Sequence, residues 1–383
     1  MPCTVSRLRF WLRCASPLLA FTLTGCASLS DNLGYYWQSV SGHVRLMNAA
    51  RPVDDWLADG STPTALKARL ALTQRIRQFA STALHLPDNA SYRSYADLQR
   101  PAAVWNVVAA PAFSLTLKTW CFPVTGCVGY RGYFAESDAR AEATRLQADG
   151  LEVSVYGVPA YSTLGWLNWA GGDPLLSTFI QYPEGELARL VFHELAHQVV
   201  YAAGDTMFNE SFATAVERIG GARWLSEKSS PQAQAEYASF NNRRNEFRAL
   251  ALATRRKLAA IYPDSEEKAP LVIAESELLA MKSEALVNFR ADYATLKARW
   301  GGYAGYDGWV ARANNAAFGA QAAYDELVPG FEALFEREDR DWLRFYDAVR
   351  KLAALDKDDR HDALKAGVLQ KALKETSMEK HGA

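Results

Sequence analysis

Apolar positions along the chain follow helical spacing, then strand spacing, then helical spacing again. Residues 36–47 and 66–84 carry the three-and-four interval of amphipathic helices. In the second, Leu66, Leu70, Thr73, Ile76, Arg77 and Ala80 fall near one stripe with Arg and Gln opposite, and Pro87 closes it. From 92 to 161 the period shortens, and 104–108, 114–117 and 152–156 read as strands. Between them 136–150 reads as a helix stopped by Gly150. Past 222 the helical interval returns with many more charges, over 236–261, 274–300, 309–324 and 338–355, separated by Pro263, by the glycine-rich stretch 301–305 and by Pro329-Gly330. No internal repeat or sustained heptad is visible. The expected class is α+β and mostly α-helical, with a small sheet ahead of a helix near 183–204 and a helical C-terminal half. The charged tail after Lys357 is expected to fray and to leave His361 and His381 facing solvent.

The helix near 183–204 carries the chemistry. Pro183 suits a first helical position, Glu184 and Glu186 suit the positive end of the helix dipole, and Gly204 is a fitting stop. Leu187, Leu190, Val191, Leu195 and Val199 make so much of its surface apolar that it should be largely buried. Yet residues 193–197 read His-Glu-Leu-Ala-His. Residues four apart share a helix face, so His193 and His197 can offer two imidazole nitrogens to one ion with Glu194 beside them. The pattern predicts a site for one Zn²⁺ per chain, with Glu194 as the general base on a water molecule. The rival is a pair of core histidines bonded to backbone carbonyls. A zinc site with two histidines needs a third protein ligand. Glu210, opening a second helical run through Ala213, Val216 and Ile219, is the candidate, and Asp205 is its competitor. Glu217, two turns further on the same face, can orient a ligating imidazole, or else pair at the surface with Arg218 or Arg223.

Other side chains near this place have weaker claims. A sheet edge near 153–156 or Ser162 is expected beside the metal, where an extended peptide could add as one more strand. Tyr161 is a candidate to steady an oxyanion, with core packing as its alternative. Glu184, Glu186, Asp173 and Glu217 are each candidates to hold a substrate's free amine. Asn314, Asn315 and Tyr324 can cap the cleft and contact substrate, or simply pack.

The ends place the chain in a cell. Arg7, Arg9 and Arg13 precede an apolar stretch at 18–23, and Leu23-Thr24-Gly25-Cys26 resembles a lipobox, where cleavage precedes a cysteine that is then acylated. The alternative is an ordinary signal with a coincidental cysteine. Ala27 after Cys26, in place of Asp, favours the periplasmic face of the outer membrane, and no stretch is long enough to span a bilayer. Of five cysteines, that leaves Cys121 and Cys127, which read as a short-loop disulfide in an oxidising compartment or, less simply, as metal ligands. Forty-two Lys and Arg against 43 Asp and Glu give no field that would recruit nucleic acid. The organisation expected is a signal at 1–25, a tether and N-terminal helices at 26–91, a catalytic core at 92–221 and a helical region at 222–383.

The His-Glu-x-x-His run followed by Asn209-Glu210-Ser211-Phe212-Ala213 resembles the gluzincins, zinc peptidases whose third ligand is a Glu on a following helix. The lipobox, Gly34-Tyr35-Tyr36-Trp37-Gln38, Cys121-Phe122-Pro123, Arg131-Gly132-Tyr133-Phe134 and Tyr161-Ser162-Thr163-Leu164-Gly165 together resemble the bacterial predicted zinc aminopeptidase lipoprotein family over nearly the whole mature chain. The resemblance implies a zincin-like core, a lipid-anchored zinc aminopeptidase and a peptide substrate. The chain lacks the Gly-x-Met-Glu-Asn segment with which alanyl-aminopeptidase-type gluzincins hold a free amine. A zinc endopeptidase therefore stays open, as does a non-catalytic zinc-containing envelope lipoprotein that binds a protein partner.

Overall fold

Residues 34–122, 126–160, 162–163, 171–262, 273–321 and 326–368 are described by the computed structural model. The chain divides into two units, Met1–Asn48 and Ala49–Ala383. In the first, residues 34–48 form a helix that exposes Tyr36, Trp37, Val40 and Val44. These four lie within about 100° of one another around the helix axis. No helix among the described residues is long and apolar enough to cross a membrane.

The second unit is α+β and mostly helical, built from two three-stranded sheets, one hairpin and many helices. Its first long helix, Thr64–Ala83, buries Leu70, Thr73, Ile76, Arg77 and Ala80 on the expected stripe. A guanidinium is tolerated there because carbonyls satisfy it. Arg77 donates to Ser91 O at 3.0 Å and to Pro87 O at 2.6 Å, and so pins the loop that follows the helix. One small sheet pairs Ala50–Pro52 antiparallel with Ser94–Ala96, which runs parallel to Leu175–Leu176. The other is antiparallel, with Val104–Ala110 at its centre between Arg131–Tyr133 and Glu152–Val158. Helix Glu136–Ala148 packs on this sheet, and Gly150, at φ +81°, turns the chain back into it. Cys121 and Cys127 face each other across the hairpin of Trp120–Phe122 and Gly126–Val128 and are joined by a disulfide.

Two helices then form the centre of the unit. Glu184–Ala196, the motif helix, buries Leu187, Val191, Phe192 and Leu195, and it ends sooner than its apolar pattern suggests. After His197 the backbone tightens into three-residue turns, with Gln198 N on Leu195 O and Val199 N on Ala196 O. Gly204, at φ +75°, lies in the link to the next helix instead of directly stopping this one. That next helix, Thr206–Lys228, packs along the motif helix. Gly221 makes the close approach possible: a Cβ there would stand 2.7 Å from Arg189 Cγ.

The C-terminal half differs from its expected pattern in four places. The pair Pro231–Ile261 and Glu275–Arg299 agrees with 236–261 and 274–300 to within a few residues. The stretch from 309 is two short helices, Asp307–Ala311 and Asn315–Ala320, because the Asn314 side chain accepts from Ala317 N and starts a new helix there. Tyr324 lies outside the described residues. The span 338–355 shrinks to Trp342–Ala353 because Asp339 and Arg340 adopt positive φ and break the path. A further helix, Val328–Arg337, takes Pro329 into its first turn, where a proline costs no hydrogen bond. Residues 357–368 are helical too, and His361 is bonded to Asp205, not turned to solvent; His381 lies outside the described residues. The stretch 114–117 is not a strand. Pro111 and the Ser114 turn end the sheet path, and Leu115 and Leu117 pack against the 315–320 region. Asn315, fully buried, is spent on Ala112 O and the Tyr262 hydroxyl, and Asn314 donates to Val153 O, so both are structural.

Candidate metal centre

The helical repeat places the two imidazoles of the motif helix together. His193 Nε2 and His197 Nε2 are 3.2 Å apart, with ring centroids 4.8 Å apart and planes at 86°. The neighbouring helix runs back beside them and brings Glu210 from its first turns. Glu210 Oε2 is 3.3 Å from His193 Nε2, and Oε1 is 3.8 Å from His197 Nε2. One ligand atom from each residue lies within 4.8 Å of the other two. Tetrahedral ligands at zinc bond lengths stand about 3.3 Å apart, so these separations fit a single ion. Asp205, the competitor, points elsewhere: it caps the helix at Phe208 N and meets the 357–368 helix.

Glu217 sits on the far side of the His193 ring, its Oε2 3.1 Å from Nδ1. Its other oxygen is held by Arg189, which donates to the Tyr237 hydroxyl at 3.2 Å and also approaches Glu186 at 3.4 Å. Arg218 and Arg223 pair with Glu332 and Glu227 and leave Glu217 to the ring. His197 has no such carboxylate behind it among the described residues: its one carboxylate contact there is Glu210 at Nε2.

Burial opposes charge on every one of these groups, and the neighbours decide which charges survive. Burial drives the His197 ring down to about 4, with His193 adding to the fall. It pulls His193 down as well, but bonds from Glu210 and Glu217 outweigh it and hold that ring well above the usual histidine range. Burial raises Glu210 and Glu217, yet His197 and His193 for the first, and Arg189 and His193 for the second, draw both below ordinary carboxylates. Glu194 goes the other way. Burial pushes it up to about 7, with Glu210 and Asp173 adding and His193 and Ser162 opposing. Three partly buried glutamates around two imidazoles form a field that suits a divalent cation.

A cavity of about 250 Å³ opens beside the His193 ring. Its walls include His193, Glu194, Glu186, Arg244 and the end of the edge strand at Val158 to Ala160. Of the four candidates for an amine anchor, Glu184 accepts from Trp224 Nε1, and Asp173 is buried beneath the 162–163 backbone, accepting from Thr163 N. Glu217 is committed to His193. Glu186 alone of the four lines the cavity without touching His193, His197 or Glu210, and there it meets Arg244 at 2.5 Å. Tyr161 and Cys26 lie outside the described residues. Sequence reasoning missed Arg189, Tyr237 and Arg244. Arg189 was the legible one: an arginine one turn before His193 on an otherwise apolar helix must answer a buried acid.

A family model described as “Putative aminopeptidase” matches residues 34–364. The chain belongs to this family. Its description points to peptide hydrolysis, and its extent takes in the motif helix, the Glu210 helix and the tail helix alike. No curated protein and no solved structure matches the chain significantly.

Proposed function

We propose that the protein is a zinc aminopeptidase, anchored to the cell envelope by acylated Cys26 with its catalytic unit in the periplasm. The observation that carries the reading is the convergence of His193, His197 and Glu210 within 4.8 Å beside a partly buried Glu194 and an open cavity. His193, His197 and Glu210 hold the ion. Zinc in this setting lowers the pKa of water towards neutrality and polarises a scissile carbonyl. Glu194 takes a proton from the attacking water and returns it to the departing amine, a role suited to a carboxylate whose burial favours taking up a proton. Glu217, clamped by Arg189, fixes the His193 ring so that Nε2 faces the centre. The edge strand at Glu152–Val158 and the loop after it form a wall along which an extended peptide can lie. The exposed Tyr36, Trp37, Val40 and Val44, ten residues or more after Cys26, suit a chain held at a lipid surface.

The test is zinc analysis of the purified protein together with hydrolysis of matched peptides bearing free or acetylated N-termini. The expected result is close to one zinc per chain and cleavage of the free peptides only. Cleavage of both would make the enzyme an endopeptidase, and a zinc-free or zinc-loaded but inert protein would remove the proposal.

A further inference from the structure

Glu210 reaches the imidazoles only if its helix starts in the right phase, and the residues that set this phase are bound from the far end of the chain. Asp205 is nearly buried and caps the helix, its Oδ1 accepting from Phe208 N at 3.1 Å. His361 Nε2 stands 2.9 Å from Asp205 Oδ2 and 3.1 Å from Oδ1. Arg360 approaches the same carboxylate at 3.5 Å, donates to Leu355 O and lies 5.5 Å over the Phe208 ring. Asn209 completes the clasp, with Nδ2 donating to Ala202 O at 2.8 Å and Oδ1 accepting from Ala202 N at 2.7 Å. Glu210 is the next residue. One residue of slip at the cap turns a helix by about 100°, enough to carry its carboxylate away from both rings.

We propose that Arg360 and His361 are positioning residues of the metal centre: through Asp205 they fix the phase of the helix that delivers Glu210. The inference rests on the zinc reading above. It differs from a simple packing role, because the tail helix has a separate seat. Leu364 is buried against Gly330, where an added Cβ would stand 2.8 Å from it. Lys365, on the same helix, pairs with Glu326 at 3.4 Å, away from the cap.

The experiment uses the full chain, stripped of metal and titrated with zinc against a chelator, with the visible spectrum of the cobalt form as a second readout. The double variant R360M/H361L is expected to bind zinc about 10- to 100-fold more weakly, the range for lost support of a metal ligand, and to show a shifted cobalt spectrum. H361Q, which keeps an N–H donor near the Nε2 position, is expected to stay close to wild type. L364A, which loosens the seat, is expected to lower the melting temperature without changing zinc affinity, and K365A to change neither. Zinc affinity of the double variant within threefold of wild type, or an equal loss in L364A, overturns the positioning role alone. A wild-type chain that binds no zinc overturns the metal reading and this inference with it.

Discussion

The two imidazoles and the carboxylate of the proposed metal centre are held in different ways. His193 and His197 are adjacent because they are four residues apart on one buried helix, and no remote residue is needed to bring them together. Glu210 is adjacent to them because a loop from Val199 to Asp205 is clasped by Asn209 and capped by Asp205, and because that cap is gripped by His361 from 156 residues further along. Even the support of the rings is uneven: His193 has Glu217 and Arg189 behind it, whereas among the described residues no carboxylate stands at the Nδ1 of His197. The histidine side is local and the carboxylate side is assembled. Damage far from the metal should therefore appear first as a failure of Glu210.

The largest expected effect falls on the residue that shares the histidines' helix without holding metal. Glu194→Gln should lower turnover by about 10²- to 10⁴-fold while zinc content stays at the wild-type level. Turnover and zinc analysis on one preparation decide it. A fall in zinc content would move Glu194 into the holding scaffold, and unchanged turnover would remove it as the base.

Next come two matched variants, one on each side. Asn209→Ala strands the buried N–H of Ala202, whose C=O keeps its bond from Asp205 N, at a cost on the order of 1–3 kcal/mol, and should weaken zinc binding as the loop slackens. Glu217→Gln leaves Arg189 short of a charge partner and should weaken zinc about 10-fold or more. The comparison predicts different signatures. In Asn209→Ala the loss of affinity should accompany increased hydrogen exchange in the link at 199–205, and in Glu217→Gln that link should exchange as in wild type. Equal exchange in both would mean that the two sides are held as one unit.

The same division explains what was legible in the sequence. The motif helix, the helix Thr64–Ala83 with its buried Arg77, the long pair at 231–261 and 275–299 and the strands at 104–110 and 152–158 all follow from periodicities contained within one element. The adjacency of His193 and His197 is of that kind. The bond between Asp205 and His361 is not: nothing in a charged C-terminal stretch distinguishes a gripping histidine from a solvated one until the helix 206–228 is in place. The break at Asp339 and Arg340 and the false strand at 114–117 have the same origin. Positive φ at two non-glycine residues, and leucines that pack on a helix in place of a strand neighbour, are decided by tertiary partners. Arg189 lay between these extremes, since its burial required an acid that the sequence alone did not name.

The smallest effect expected is at Glu186, and it tests how far the site extends along the motif helix. Glu186 precedes His193 by two turns, about 10 Å along the axis, and lines the same cavity, held by Arg244 at 2.5 Å and approached by Arg189 at 3.4 Å. It touches no ligand residue, so Glu186→Gln should leave zinc affinity and kcat close to wild type. Its carboxylate faces the space a bound peptide would fill, and a glutamine there keeps the size but loses the charge. The expected result is a KM raised by about 3- to 10-fold, as one charged contact is weakened. Because Arg244 then lacks its partner at the mouth, the rise should be larger for peptides with a positive group at that place than for those with an acidic one. A KM that stays constant across such a series would confine the substrate to the end of the helix near His193, and a fall in kcat with constant KM would mean that Glu186 acts through Arg189 and Glu217 on the His193 ring.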